Sequence, residues 1–352
     1  MTGNSEIDTL IIGQGLAGSI LAWQLMQQRQ SVLVINQEDS PSASRVAAGL
    51  FNPVTGQRFV LQPQAESIIP AARNFYSQLE KQFEQQFFFE KPMLRIIKNE
   101  KERAAIQKRK ADPAYATYLG EIGTHALINA HLGIVEQRQT GYLDTNALLD
   151  CLKAYYLMQN SYITTHLDYS DVKLTGTGTG IQWNGIDAKR IIFCEGFMGR
   201  DNPWFNWLPF QPAKGEILTL KSESALPDQI INGGRWLLPL HDGKYKTGAT
   251  YEHDLSTTAP SRKAKTELIE GMQQLLVASP EYEVVDQKCG VRPNTLDKNP
   301  FIGVLLDHAQ LGIFNGFGSK GSMLIPYYAD MFAKHLLNGT NIPAQADIMR
   351  IK

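Results

Sequence analysis

The sequence predicts an α/β protein with a second domain of α+β type, and three observations lead to this fold class. First, an apolar run at 8–12, a glycine-rich turn, a segment with helical spacing and another apolar run at 31–35 predict a strand–turn–helix–strand unit. Second, an apolar run at 188–196 ends on a glycine and predicts a strand that returns to the same sheet. Third, short strand-like runs predict a separate antiparallel sheet, at 215–220, 236–239 and 244–250.

The turn after the first predicted strand has the glycine spacing of a dinucleotide-binding site, Gly13-Gln-Gly15-Leu16-Ala17-Gly18. Gly13 permits the tight turn, Gly15 lets the backbone approach a diphosphate, and Gly18 lets the helix pack against the strand. The helix then presents free N–H groups and its positive dipole end to the phosphates. The spacing alone is also typical of an ordinary glycine-rich turn, but its place between a strand and a helix favours a dinucleotide site.

The acid that commonly holds the ribose is missing from the end of the second predicted strand, about 20 residues after the glycines. Asn36 and Gln37 occupy these positions, and Glu38 follows. Asn36 offers a neutral partner for a ribose hydroxyl, while Glu38 offers a carboxylate if the strand runs slightly longer. Neither alternative supplies the arginine that favours a 2′-phosphate.

Composition excludes several classes of protein. The 352 residues are 43% hydrophobic and carry a net charge of −1, so two domains are expected and no global field attracts nucleic acid or an anionic membrane. Cys151, Cys194 and Cys289 are far apart, which argues against disulfides and zinc, and no metal is expected. The polar N-terminus and the interrupted apolar stretches predict a cytoplasmic protein without a membrane span.

The first half of the chain then alternates helical and strand-like segments. Residues 40–58 are rich in small residues that let a backbone approach a flat ligand, and Arg45 within them is predicted to pair with a diphosphate or to cap a carbonyl. The predicted helices lie at 64–84, 100–110 and 145–159. The predicted strands lie at 87–89, 93–97, 162–167 and 171–174.

The second half contains two further segments of interest. A lone arginine, Arg292, stands beside a proline in the turn-rich segment 289–303, and glycines crowd the turn before a predicted helix at 324–337. Glycine-rich residues 175–180 lack the lysine of a phosphate loop and predict a hairpin. The other predicted features are a strand at 181–183, aromatic packing at 203–208, a helix at 261–278 and a strand at 311–314.

Four segments in this order resemble the D-amino-acid oxidase family of FAD-dependent oxidoreductases. They are the glycine turn, Ser44-Arg45-Val-Ala-Ala48-Gly49-Leu50, Gly290-Val-Arg292-Pro-Asn-Thr-Leu-Asp-Lys-Asn-Pro-Phe-Ile-Gly303, and Asn315-Gly316-Phe-Gly318-Ser319-Lys320-Gly321. The family includes glycine oxidase, sarcosine oxidase and the FAD domain of bacterial tRNA methylaminomethyl-thiouridine biosynthesis proteins. The resemblance spans nearly the whole chain.

The resemblance implies a Rossmann-like FAD-binding domain of glutathione-reductase type, built from 1–60, 140–210 and 290–352. Residues 61–139 and 211–289 would form a substrate domain with an antiparallel sheet. The residues expected to bind FAD are Gly13, Gly15, Leu16, Ala17, Gly18, Asn36, Gln37, Arg45, Ala48, Gly49, Leu50, Val172, Gly196, Arg292, Gly316, Gly318, Ser319, Lys320, Gly321 and Ser322. Val172 would use its backbone on the adenine.

The resemblance also implies the substrate site. Arg292 matches the family arginine that pairs with the substrate carboxylate, and its alternative role is an interdomain salt bridge. Lys320, Tyr251 and Trp236 are the other candidates on the substrate side, although Tyr251 alternatively only packs. Cys289 lies one position away from the cysteine by which sarcosine oxidases attach FAD, so the FAD is expected to be non-covalent.

Three functions therefore stay open. The first is FAD-dependent oxidation of the C–N bond of an amino acid or N-substituted amino acid, with a small-molecule amine as partner and no tRNA. The second is demodification of a tRNA base that bears a carboxymethylamino group, where Arg292 would again hold a carboxylate. The third is a flavin-binding protein without turnover. An NAD-dependent dehydrogenase fits less well, because two glycine-rich helix starts suit one long FAD better.

Overall fold

The structure is a computed structural model, and it describes residues 6–37, 42–175 and 180–351. The strands, in chain order, are β1 Ile7–Ile12, β2 Val32–Asn36, β3 Leu50–Phe51, β4 Val54–Thr55, β5 Val60–Leu61, β6 Phe88–Glu90, β7 Met93–Ile96, β8 Leu119–Gly123, β9 Ile134–Gln137, β10 Gly141–Leu143, β11 Tyr162–Thr164, β12 Lys173–Leu174, β13 Ile181–Trp183, β14 Ile186–Phe193, β15 Ala213–Lys221, β16 Ile230–Asn232, β17 Trp236–Pro239, β18 Lys244–Gly248, β19 Glu283–Arg292, β20 Phe301–Val304 and β21 Leu311–Asn315. The α-helices are α1 Leu16–Gln27, α2 Ala43–Val46, α3 Ala65–Phe83, α4 Glu100–Lys110, α5 Thr145–Met158, α6 Arg262–Gln273 and α7 Gly321–Asn338. Short 3-10 helices lie at Pro113–Tyr115, Tyr169–Asp171, Gly196–Asp201 and Ile348–Arg350.

The chain divides into two compact units, each assembled from separate segments. Unit 1 is Met1–Arg45, Thr145–Ala213 and Val291–Lys352, and unit 2 is Val46–Asp144 and Lys214–Gly290. Residues 46–60 were predicted in the first domain but belong to unit 2, because β3 pairs with β10 of that unit. The other differences from the predicted bounds are small, at 140–144, 211–213 and 290.

Unit 1 is built on a mostly parallel sheet, as the fold class predicts. Its strands follow the order β11-β2-β1-β14-β13-β12, and β21 continues the sheet beside β14 with β20 at its side. The strands β11, β2, β1, β14 and β21 are parallel to one another, so their carboxyl ends meet at one edge. The predicted return of 188–196 to the first sheet is confirmed, because β14 pairs with β1.

The first helix is mostly apolar, and eight of its twelve residues are buried. Ile20, Leu21, Ala22 and Leu25 are wholly buried, and α1 contacts both α5 and α7. A helix with polar residues on one face would expose that face to water, whereas a helix enclosed by neighbours needs apolar residues around its circumference. This packing fixes the position of the helix N-terminus relative to the edge of the sheet.

Unit 2 is built on a second sheet, of order β19-β15-β18-β17-β16-β7-β9-β8. Strands 213–221, 236–239 and 244–248 pair antiparallel as predicted, but β16 and β7 are parallel. Helix α6 packs on this sheet through Leu268 and Met272, and it ends at Gln273 rather than at the predicted 278. The charged helix α4 matches its predicted range, with acidic residues in its first turn and basic residues in its last, which complements its dipole.

Three sequence features have mixed outcomes. Residues 176–179 of the predicted hairpin lie outside the described residues, as does Glu38, although β12 and β13 on either side of the hairpin do pair antiparallel.

The aromatic packing predicted at 203–208 is present in part. Trp204 stacks on Phe193 with ring centres 5.4 Å apart, whereas Trp207 is 45% exposed. Among the described residues, no helix combines the length and the apolar character needed to span a bilayer.

Candidate functional site

The glycine turn between β1 and α1 leaves no room for side chains at two of its glycines. A Cβ on Gly18 would lie 1.9 Å from the carbonyl oxygen of Gly13, and a Cβ on Gly13 would lie 2.6 Å from the carbonyl oxygen of Cys194. Gly13 also has a φ of +102°, which side chains rarely adopt. A Cβ on Gly15 would meet only the Ser44 hydroxyl, at 3.3 Å. Gly13 and Gly18 therefore serve the fold, and Gly15 keeps the approach to the turn open.

Two polar side chains hold this turn in place. Asn36, at the end of β2, accepts a hydrogen bond at 2.8 Å from the backbone N–H of Gln14, and its own amide donates to the carbonyl of Gln37 at 3.0 Å. Ser44 accepts from the backbone N–H of Leu16 at 3.0 Å. The Asn36 carboxamide, at the position where a ribose-binding acid is common, therefore holds the backbone of the glycine turn. Sequence reasoning missed Ser44, although its place in a small-residue segment was a signal.

The N-terminus of α7 lies beside the N-terminus of α1. A Cβ on Gly321 would lie 3.9 Å from a methyl group of Leu16. In the described part of the chain, neither N-cap residue, Gly15 or Lys320, caps its helix through its own side chain, and neither first turn contains an acidic residue. The Leu16 N–H already donates to Ser44, so it is the positive dipole ends of the two helices that favour an anionic ligand at this edge of the sheet.

The turn that precedes α7 packs against the segment that follows Arg292. The backbone N–H of Gly318 donates to the carbonyl of Pro293 at 3.3 Å, and a Cβ on Gly318 would lie 2.6 Å from the Asn294 side-chain oxygen. A Cβ on Gly316 would lie 2.7 Å from the methyl group of Thr295. Unit 1 thus brings together the two late sequence motifs, residues 290–303 and 315–321, which were singled out separately.

The two cations of these motifs differ in environment. Arg292 is half-buried at the last position of β19. Lys320 immediately precedes α7, where burial lowers the pKa of its ammonium group and the positive charge of Lys298 lowers it further. The start of α7 therefore combines the positive end of the helix dipole with the cationic side chain of Lys320.

The end of β14 forms another wall of the turn. The backbone N–H of Cys194 donates to the carbonyl of Ile12 at 2.8 Å, and Gly196 has a φ of +61° with open space beside it. The Asn315 side chain joins this segment to β21, because its amide donates to the carbonyl of Gly196 at 2.8 Å. Glu195, between Cys194 and Gly196 in the sequence, has a carboxyl group that the sequence analysis did not single out.

Two predicted cofactor residues are engaged with the protein itself. The guanidinium of Arg45 pairs with the Asp150 carboxylate at 2.5 Å and donates to the carbonyl of Asn146, in α5, at 3.3 Å. Of the two roles predicted for Arg45, it therefore has the second, the capping of a carbonyl. Val172 is buried, and its backbone N–H donates to the carbonyl of Tyr169 at 3.2 Å.

The remaining candidates lie in unit 2. Gly49, between Ala48 and Leu50, has a φ of +66°, and its carbonyl accepts from the N–H of Leu143 at 2.9 Å. Trp236 packs beside Gly248, where a Cβ would lie 2.6 Å from the indole ring. Tyr251 is 57% exposed, and its ring lies edge-on to another ring of unit 2.

Replacing Gly49 with alanine is expected to destabilise unit 2 by at least about 1–3 kcal/mol. The added Cβ would lie 1.9 Å from the carbonyl oxygen of Leu143 and would hold a side chain at a positive φ. Chemical denaturation of the apoprotein measures the free energy of unfolding without the cofactor. An unchanged value would contradict a structural role for this glycine.

These features fit one class of ligand. A glycine turn with a tight backbone, two helix N-termini side by side and neighbouring cations suit the diphosphate of a dinucleotide. Among the described residues, no group of three or more His, Cys, Asp or Glu side chains is placed to hold a metal ion. The glycine turn and the helix N-termini fit a dinucleotide cofactor.

Sequence comparison gives the same class of ligand. The profile of a family described as FAD dependent oxidoreductase, DAO, matches residues 8–335. Glycine oxidase of Pseudomonas putida is 25% identical over 354 aligned positions, which cover 94% of each chain. The tRNA 5-methylaminomethyl-2-thiouridine biosynthesis bifunctional protein of Marinobacter nauticus is 20% identical over 93% of this chain, which spans only 55% of that relative.

Solved structures share the fold. Iminodiacetate oxidase from Chelativorans superposes with a TM-score of 0.80 at 19% identity, covering 96% of this chain and 97% of that one. Glycine oxidase from Bacillus cereus superposes with a TM-score of 0.80 at 20% identity, with the same coverage of 96% and 97%.

Proposed function

The chain belongs to the DAO family of FAD-dependent oxidoreductases, and from this premise we propose that it oxidises the C–N bond of an amino acid or N-substituted amino acid. Its cofactor is FAD, and it is an enzyme. The observation that carries the proposal is the packing of the segment after Arg292 against the glycine turn before α7, since this brings the backbone next to Arg292 to the start of that helix. Among its relatives, a glycine oxidase matches nearly the full length of the chain.

Unit 1 is proposed as the FAD-binding domain. The diphosphate would be held by the backbone at Gly13, Gly15 and Gly18 and by the start of α1, and the turn 316–322 would lie along the isoalloxazine. Because the Asn36 carboxamide already bonds to Gln14 and Gln37, the adjacent Gln37 is the better candidate for the ribose hydroxyls. Gln37 is exposed, and its side-chain oxygen lies 3.0 Å from Nδ1 of His166.

Arg292 is proposed to bind the substrate carboxylate. A guanidinium binds a carboxylate through two parallel hydrogen bonds, which fixes the direction of the α-carbon as well as its position. Correct orientation of this kind can supply several kcal/mol of a barrier. The chemistry that FAD supplies is acceptance of a hydride from the α-carbon, after which water hydrolyses the resulting imine. No protein nucleophile is required.

The other substrate-side candidates have different roles. Lys320 adds a positive charge at the start of α7, and its lowered pKa follows from burial first and from Lys298 second. Unit 2 is proposed as the substrate domain, with Trp236 and Tyr251 as the side chains that contact substrate. The exposed ring of Tyr251 is accessible for such a contact.

A second candidate function is demodification of a tRNA base that bears a carboxymethylamino group. The similarity to the Marinobacter tRNA biosynthesis protein favours it, and Arg292 would again hold a carboxylate. The net charge of −1 argues against it, because nucleic-acid binding depends strongly on neutralising phosphates with lysine and arginine. The small-molecule reaction is therefore preferred.

Mixing the flavoprotein with candidate amines under argon tests this function. Glycine, N-substituted glycines and the enantiomers of several amino acids are the test set. Amines that lack a carboxylate are the control. We expect the visible flavin absorbance to fall with at least one carboxylate-bearing amine, together with release of a 2-oxo acid.

Two outcomes would contradict the proposal. Flavin that dithionite reduces fully but that no amine reduces would indicate a flavin-binding protein without turnover. Retention of tRNA at physiological salt, with flavin reduction only by modified tRNA, would favour the second candidate.

A further inference from the structure

Glu195 stands directly beside the glycine turn. A Cβ on Gly13 would lie 3.6 Å from the Cα of Glu195, and the preceding residue, Cys194, is joined to the end of β1 by a backbone hydrogen bond. The glycine turn is the part of this fold that binds a diphosphate. The backbone of Glu195 therefore lies against the turn where the cofactor would carry its negative charge, and its carboxyl is one side-chain length from that backbone.

Neutral groups surround the Glu195 carboxyl. The Tyr169 hydroxyl donates to one oxygen at 2.7 Å, and the Asn202 amide donates to the other at 2.9 Å. Asn202 is wholly buried, and its own oxygen accepts from the N–H of Trp204 at 3.0 Å, so the orientation of its amide is fixed. Burial raises the pKa of Glu195 to about 6, although both hydrogen bonds act in the opposite direction.

Among the described residues, no cationic side chain contributes to the pKa shift of this carboxyl. Burial is the main cause that raises the pKa of the Tyr169 hydroxyl, and the charges of Glu195 and Asp201 raise it further. Burial likewise raises the pKa of the Cys194 thiol. Asp201 is exposed and pairs with Arg200 at 3.3 Å. Of these described neighbours, Tyr169 and Cys194 are neutral, and the charge of Asp201 is paired with that of Arg200.

We propose that Glu195 takes up a proton when FAD binds, so that FAD is held by the form of the protein in which this carboxyl is neutral. The diphosphate would bring negative charge to the turn against which the Glu195 backbone lies, and a nearby like charge disfavours ionisation of a carboxyl group. A bound cofactor also removes water from this edge of the sheet, and desolvation acts in the same direction. A neutral carboxyl keeps both contacts, since it can donate to the Tyr169 oxygen and accept from Asn202.

The proposal makes FAD affinity depend on pH with a definite sign. FAD binding raises the pKa of Glu195 above its value of about 6 in the free protein, so affinity is greatest at low pH and falls as the pH rises above that value. The limiting slope for one proton is a tenfold rise in Kd for each pH unit. A glutamine at this position carries no charge at any pH and imitates the protonated acid.

The test is a titration of the apoprotein with FAD at several pH values between about 5.5 and 8, in which flavin fluorescence reports binding and gives the Kd. The wild-type Kd is expected to rise above about pH 6 with a slope that approaches one decade per unit. Glu195→Gln is expected to keep the Kd that the wild type has at the acid end, with a much smaller slope. Histidines titrate in this range as a class, and comparison of the two proteins at each pH removes their contribution.

Asp201→Asn is the matched control, because it removes a nearby exposed carboxylate that lacks the contacts of Glu195. Its slope is expected to equal that of the wild type. Calorimetry of FAD binding to the wild type, in two buffers with different heats of ionisation, measures proton uptake directly and requires no variant. A flat wild-type profile without proton uptake would overturn the proposal. So would equal slopes for Glu195→Gln and the wild type.

Discussion

Replacing Gly15 with alanine is expected to give a folded protein whose Kd for FAD is about tenfold to a hundredfold higher. Gly15 has a φ of −79°, which alanine adopts freely, and its Cβ would meet only the Ser44 hydroxyl at 3.3 Å. The same Cβ would stand between the backbone and a diphosphate that must approach closely. Each charged hydrogen bond that is lost costs about 1.5–3 kcal/mol, and about 1.4 kcal/mol is a factor of ten in Kd.

Two other glycines provide the controls for this experiment. Alanine at Gly18 would lie 1.9 Å from the carbonyl of Gly13, so Gly18→Ala is expected to lose the fold of unit 1 together with the cofactor. Gly123, in β8 of unit 2, has nothing within 4 Å of its Cβ position, and Gly123→Ala is expected to change neither property. FAD titration and thermal melting of the three variants separate binding from folding. A Gly15→Ala protein with wild-type FAD affinity would show that the diphosphate does not approach this turn.

Arg292→Ala is expected to lower kcat/KM for amino-acid substrates by at least about tenfold to a few hundredfold. The proposed reason is the loss of a bidentate ion pair that both binds the carboxylate and orients the α-carbon. Arg292→Lys keeps the charge but loses the planar fork, so its effect is expected to be intermediate. Steady-state kinetics with the best substrate from the anaerobic screen measures both variants.

The sharper comparison uses the corresponding amine without a carboxylate. This substrate has no group for Arg292 to bind, so its slower turnover is expected to be nearly the same in the wild type and in Arg292→Ala. Arg200→Ala serves as the charge control, because Arg200 is an exposed arginine of unit 1 paired with Asp201. Equal losses of kcat/KM for the two substrates would instead indicate that Arg292 has a structural role.

The parts of the fold that follow from local chemistry were predictable. The strand–turn–helix–strand unit was visible because a glycine turn between apolar runs has few alternative conformations. The charged helix α4 was predicted with its observed bounds, and in the structure Asn99 caps it and its charges complement its dipole. The fold class is confirmed by both sheets and by the structural relatives.

The parts that depend on distant pairing were not predictable. Residues 46–60 follow the nucleotide-binding unit directly in sequence, yet they join unit 2 because Phe51 pairs with Gly141, 90 positions later. The strand β19, which ends at Arg292, was not predicted, and its last residues were included in the turn-rich segment 289–303. Glu195 was passed over for a similar reason: its partners Tyr169 and Asn202 come together only in the fold.

For Arg45 and Asn36, the sequence predicts the location correctly but not which groups their side chains bind. Both lie near the glycine turn, as the sequence predicts, yet Arg45 is engaged by α5 and Asn36 by the turn itself. A sequence pattern reports which residues gather at a site, whereas the hydrogen-bond partners decide which of them have groups available to a ligand.

The most direct test of the central claim, that unit 1 holds one FAD without a covalent bond, is the absorbance spectrum of the purified protein before and after acid precipitation. We predict a flavin spectrum that corresponds to one FAD per chain, with all of the flavin released into the supernatant. A colourless protein that takes up no FAD on reconstitution would contradict this claim, and flavin that stays with the precipitated protein would contradict non-covalent binding.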